Sequence, residues 1–126
     1  MQFLTPTILL TLLTTLAAAA PGTTPNLPRA LVSGTATWYN QNGEFGSCGE
    51  VHSDSEILCA VPPSRISGKC GHTCVLNANG HTLRGRVVHT CVFCSATQID
   101  LSVGAFKVLS NNNLAVGTIS LTWQVY

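Results

Sequence analysis

The chain has 126 residues, of which 9 % are charged, with six Lys+Arg against five Asp+Glu and a formal net charge of +1. That length holds one domain, and a near-neutral chain without a basic run lacks the electrostatic footprint of a nucleic-acid binder. An apolar content of 45 % with so little charge is also the opposite of a disordered composition.

Residues 1–20 (MQFLTPTILLTLLTTLAAAA) carry no charge and end in four alanines. Small residues after a short apolar stretch suit signal peptidase, whereas a spanning helix needs ~20 predominantly apolar residues. The segment therefore reads as a secretory signal rather than a signal anchor, cut after one of residues 18–20. An extracellular protein with no membrane segment after cleavage follows. Residues 21–32 read as a Pro-rich spacer or propeptide, with Arg29 as a candidate processing point. The folded domain is expected at 33–126, small enough for covalent staples to matter.

Strand signals dominate that domain. Residues 35–39 (Thr-Ala-Thr-Trp-Tyr) are β-branched and aromatic and stop at an Asn/Gly cluster. Residues 57–61 form a short apolar run halted by Pro62-Pro63. Residues 73–76 and 83–89 flank Asn79-Gly80, a dipeptide suited to a type I′ hairpin turn. One helix is predicted, with Ser102 as N-cap, Val103, Phe106 and Leu109 at helical spacing, and residues 111–113 (Asn-Asn-Asn) as its stop. At the end of the chain Ile119, Leu121, Trp123 and Val125 alternate with Ser120, Thr122, Gln124 and Tyr126. That period of two is a strand with one buried face, and it puts Trp123 in the core. Many short strands and one short helix indicate a small closed β-barrel.

Six cysteines, Cys48, Cys59, Cys70, Cys74, Cys91 and Cys94, admit three readings. Cys70-x3-Cys74 and Cys91-x2-Cys94 have the spacing of a four-thiolate zinc site, with His72 and His89 as spare ligands. Cys91 and Cys94 also have the spacing of a redox dithiol, without the βαβ setting that such a motif needs. The secretory signal favours the third reading, three disulfides and no metal, although six cysteines allow fifteen pairings.

Six segments in order resemble a known family. They are residues 34–39 (GTATWY), 46–49 (GSCG), 69–71 (KCG), 87–94 (VVHTCVFC), 99–106 (IDLSVGAF) and 116–123 (VGTISLTW). Together they resemble the rare-lipoprotein-A-like double-psi β-barrel shared by fungal loosenins, the first domain of expansins, and barwin. The resemblance spans about residues 33–126. It implies a mainly β, six-stranded double-psi barrel with one or two short helices, in the single-domain loosenin-like form. Cys59 and Cys74 are additional to the family's common four-cysteine pattern, which implies that they pair with each other.

The resemblance also implies a shallow polysaccharide groove whose polar centre is one Thr and two Asp. Thr37 and Asp100 match two of these positions, and His89 stands where the other Asp is expected. Bland readings exist for each: Thr37 as a β-former, Asp100 as a carboxylate capping the next helix, His89 as a satisfied strand-end side chain. Inverting hydrolysis needs two carboxyls ~6.5–9.5 Å apart. Beyond Asp100 the candidates are Glu44, Glu50, Asp54 and Glu56, all in one polar segment that reads as a solvated loop. His89 remains a candidate base. Trp38 and Tyr39, on opposite faces of one strand, are the candidates for stacking on a sugar.

These features point to a secreted, monomeric, cofactor-free protein that binds cellulose, chitin or a related β-glycan and loosens it without hydrolysis. Thr37, Asp100, His89 and Trp38 or Tyr39 would carry that contact. One alternative is an effector or protease-inhibitor-like protein that binds a host or secreted protein on the same scaffold. The other is a weak lytic enzyme.

Overall fold

A computed structural model of the protein describes residues 31–126. The expected signal peptide and residues 21–30 of the spacer lie outside the described residues. Six strands, β1 (Val32–Tyr39), β2 (Leu58–Val61), β3 (Thr73–Ala78), β4 (His81–Thr90), β5 (Ile99–Ser102) and β6 (Ile119–Val125), close into a barrel in the order β1-β5-β2-β4-β3-β6. Pairs β1–β5 and β2–β4 are parallel and the other four antiparallel. Two helices, α1 (Pro63–Ile66) and α2 (Val103–Leu109), and a 3-10 turn (Leu114–Val116) complete it. The mainly β barrel with short helices is thus as expected, and closure leaves no sheet edge unpaired.

Local chemistry accounts for most elements. Asn79 and Gly80 both have positive φ, 50° and 77°, which a type I′ turn requires between β3 and β4. Ile119, Leu121 and Trp123 are buried while Ser120 is exposed, so β6 presents one face to the core. Asn111 and Asn112, at φ 54° and 64°, take the left-handed conformation that ends α2. Pro62-Pro63 ends the apolar run as expected, and Pro63 occupies the first turn of α1, where its missing N–H is not needed.

Strand β5 has no counterpart among the strands legible in the sequence. It has four residues and forms because partners lie on both sides, β1 parallel and β2 antiparallel. Ile99 and Leu101 enter the core with Phe106, Leu109 and Trp123, and Asp100 faces the opposite way.

Ser102 joins β5 to α2. Its fully buried Oγ accepts from the Leu58 and Ala105 N–H groups at 3.1 and 3.3 Å and donates to the Glu56 carbonyl at 2.6 Å. A hydroxyl has one hydrogen and two lone pairs, so every bonding position is used. Ser102→Ala should cost about 2 kcal/mol, combining a lost cap with an orphaned buried amide. A urea midpoint unchanged from wild type would contradict that role.

All six cysteines are bridged, Cys48–Cys70, Cys59–Cys74 and Cys91–Cys94. The Cys59–Cys74 pairing is the one implied by the family resemblance. Every thiolate of the zinc reading is consumed in these bonds, which overturns that reading. Among the described residues no helix is long and apolar enough to cross a membrane.

Candidate functional site

Strand pairing sets Thr37 opposite Asp100, Asp100 opposite Ala60, and Ala60 opposite His89. Directly paired residues point to the same side of a sheet, so these four form a row across β1, β5, β2 and β4. Their neighbours along the strands, Ala36, Ile99, Leu101 and Cys59, fill the core, which puts the row on the outer face. With strands ~4.8 Å apart the row is about 14 Å long. Ala60 is small and buried, so its centre is low between Asp100 and His89.

His89 reaches that face through an irregularity. Simple alternation along β4 would send it inward with Val87. Instead Cys59 pairs with Val87 and Ala60 with His89, leaving Val88 as an extra residue. Such a bulge re-aims the side chains beyond it. Loop 45–48 then fixes the ring: the Ser47 N–H donates to His89 Nδ1 at 2.7 Å. The neutral imidazole therefore carries its hydrogen on Nε2. Gly46 lets the loop come this close, because a Cβ there would stand 2.5 Å from the Val88 carbonyl oxygen. The Cys48–Cys70 bridge ties the loop down.

At the other end of the row the Thr37 hydroxyl donates to Asp100 Oδ1 at 3.0 Å, and the Gln98 amide donates to Thr37 Oγ1 at 3.4 Å. The α2 cap is supplied by Ser102, so Asp100 is held by Thr37 rather than spent on the helix. Burial lifts the Asp100 carboxyl above its ordinary value, opposed by the Thr37 hydroxyl, the Leu101 backbone N–H and the nearby His89. The folded state thus holds this proton at pH values where the unfolded chain has released it. Its contribution to stability is complete below ~3.9, the ordinary Asp value, and is lost as pH rises through the folded value. Asp100→Asn keeps the acceptor for Thr37 without the buried charge. It should therefore have a higher urea midpoint than wild type at pH 7, with the gap closing in acid. A lower midpoint at pH 7 would refute this.

Tyr39 shares the face of Thr37, and its ring lies 6.0 Å from the His89 ring. Burial raises the phenol above its ordinary value; the Gln41 amide opposes this and the Asp100 charge adds to it. The Tyr39 hydroxyl and Gln41 Nε2 are both buried; the Gln41 amide is near enough to act on the phenol, but the two fall short of good hydrogen-bond geometry.

Trp38 does not join this group. It points to the opposite side of β1, packs against the core and donates its indole N–H to the Leu114 carbonyl at 3.0 Å. Four of the five expected residues, Thr37, Tyr39, His89 and Asp100, therefore share one surface. Phe45, not anticipated as a site residue, and Glu44, weighed as a candidate carboxyl and read as a solvated loop residue, line a cleft of about 60 Å³ with Tyr39, Gln41 and His89. Phe45 is 74 % exposed. The available signal was a lone aromatic in a polar, Gly-rich loop with no periodicity to bury it.

Three of the four loop acids are committed elsewhere. Glu50 meets Arg86 and His52, Glu56 accepts from the Ser53 N–H and faces His52, and Asp54 accepts from the Gln41 N–H at 2.6 Å. A larger hollow of about 300 Å³, lined by Arg65, Lys69 and Gln124 among others, shares no residue with the row. Among the described residues no group of three or more His, Cys, Asp or Glu side chains could hold a metal ion.

No family model matches the chain. A papain inhibitor from Streptomyces mobaraensis is 30 % identical over 102 residues, spanning 74 % of this chain and 70 % of the inhibitor. The solved Streptomyces papain inhibitor has a TM-score of 0.67 at 29 % identity, over 79 % of this chain and 98 % of the inhibitor. A Clavibacter michiganensis expansin, an Asp-to-Asn mutant in complex with cellohexaose, has a TM-score of 0.67 at 25 % identity over 77 % of this chain. The chain spans half the length of that expansin.

Proposed function

Because the chain belongs to the rare-lipoprotein-A-like double-psi β-barrel family, with the papain inhibitor and the expansin as relatives, we propose that it binds a β-linked cell-wall polysaccharide. It acts outside the cell, lying along the glycan at the Thr37–Asp100–Ala60–His89 row and loosening contacts between chains without cleaving them. The observation that carries this reading is the row itself, which sets Thr37, Asp100 and His89 on one outer face of the barrel beside the exposed Phe45. Asp100 offers a charge-assisted acceptor, His89 Nε2 a donor, and the exposed Phe45 ring an apolar face for a pyranose. The expansin in complex with cellohexaose supports a glucan as the class of ligand. Three bridges and an extracellular setting agree, since disulfides persist in oxidising compartments.

Sedimentation with insoluble cellulose and chitin, read with analysis of soluble sugars, tests this. The protein should be retained on at least one of them and release no oligosaccharide. Asp100→Ala should weaken retention about tenfold, the scale of a lost charge-assisted hydrogen bond. Absence of retention on both at low salt would refute the reading, and sugar release lost in Asp100→Ala would replace it with a lytic one.

A second reading, inhibition of a protease, is supported by the papain inhibitor, whose solved chain this one covers almost entirely. It needs a contact surface of its own.

A further inference from the structure

We infer that the turn closed by Cys91–Cys94 is a protein-docking wedge, and that its partner is the substrate cleft of a papain-type cysteine protease. This rests on the second reading above and assigns it a place.

The turn follows β4 directly, two residues past His89. Cys91 and Cys94 are its first and last residues, with Cα atoms 5.4 Å apart, and the Cys94 N–H donates to the Cys91 carbonyl at 3.2 Å. Its two central residues are both large and apolar. Phe93 is 97 % exposed and Val92 66 %. Phe93 is the most exposed aromatic side chain among the described residues, ahead of Phe45 at 74 %, and nothing in the barrel's packing requires a phenylalanine almost wholly in water. The neighbouring residues, 91–99, carry no charge, so insertion into an apolar pocket would strand no ion. The base is anchored twice, by the Cys91 N–H donating to the Val61 carbonyl at 2.8 Å and Arg65 Nε donating to the Ala96 carbonyl at 2.6 Å. A wedge already rigid before binding loses little conformational entropy on docking.

The same closure explains how such a wedge would escape cleavage. A protease reads its substrate as an extended strand, in which four residues span about 10 Å. Held at 5.4 Å by the bridge, this turn can offer the Phe93 ring to a side-chain pocket without laying a peptide bond along the cleft. The partner is therefore a protease whose cleft has a roomy apolar subsite, and the papain inhibitor relative selects the cysteine class.

Titration of papain with the full chain tests the assignment. Wild type should inhibit and should remain uncut by mass spectrometry after prolonged incubation. Phe93→Ser should raise Ki at least about thirtyfold, the scale of a buried aromatic hot spot, with an unaltered unfolding midpoint. Val116→Ser, an exposed apolar residue on the 3-10 turn, should inhibit as wild type does. Inhibition unchanged in Phe93→Ser would overturn the placement and leave the inhibitor reading standing. No inhibition by wild type would overturn both, as would a Phe93-dependent dimer that leaves papain active. Cleavage within 91–94 would overturn the wedge.

Discussion

Gly34→Ala is expected to destabilise the barrel by about 3 kcal/mol, the upper end of the usual cost of overpacking, and to weaken glycan retention with it. Gly34 lies in β1 opposite Leu121. A Cβ there would stand 1.8 Å from the Thr97 carbonyl oxygen and 2.7 Å from its carbon. Both obstacles are backbone, so no rotamer change relieves the clash. The Thr97 oxygen is also fixed from the other side, accepting from the buried Trp123 indole N–H at 3.0 Å. The methyl group must move β1 or the segment that carries Thr97, Gln98 and Asp100. Either movement separates Thr37 from Asp100. Urea unfolding gives the stability and cellulose or chitin sedimentation the retention. A wild-type midpoint in Gly34→Ala would refute the close approach on which the site depends.

Replacing Cys59 and Cys74 together by alanine should lower stability by about 3 kcal/mol, the chain-entropy value for a loop of ~15 residues. For a domain of this size that is roughly 12–24 °C in Tm. The two residues are 15 apart in sequence, both fully buried, and sit on β2 and β3 with β4 between them. The bridge crosses β4 at Gly85, which pairs with Cys74 and whose added Cβ would lie 3.1 Å from the Cys74 sulfur. It thus staples two strands that do not touch through the barrel interior. Replacing Cys91 and Cys94 by serine removes a loop of far fewer residues and should shift Tm much less. Thermal unfolding followed by circular dichroism under non-reducing conditions compares the two, and an equal shift would contradict the account.

Much of the architecture was legible in the residues. Alternation in β6, the Asn79-Gly80 turn and the Ser102 cap are local signals, because each depends on neighbours a few positions away. The ordered motifs brought in the barrel type, Thr37, Asp100 and the Cys59–Cys74 pair. The fifth strand was not legible: Ile-Asp-Leu-Ser alternates over only four residues, too short a run to stand out beside the helix that follows, and it is held straight by β1 and β2, which are distant in sequence. Trp38 and Tyr39 were equal candidates for sugar contact, and only packing separated them. Trp38 found a core and the Leu114 carbonyl, while Tyr39 was left beside His89 with an unsatisfied hydroxyl.

The sequence by itself therefore determined most of the strands, the β3–β4 turn and α2 of this near-neutral, cysteine-rich chain, and which side chains could carry chemistry. Family resemblance grouped Thr37, His89 and Asp100, but only the tertiary structure decided how they come to share one face. The clearest case is His89, which alternation with Val87 would send into the core and which one extra residue, Val88, turns outward to complete the row with Asp100. The physical reason is that a bulge is a property of two paired strands, set by register across the barrel, and register is not written in either strand alone.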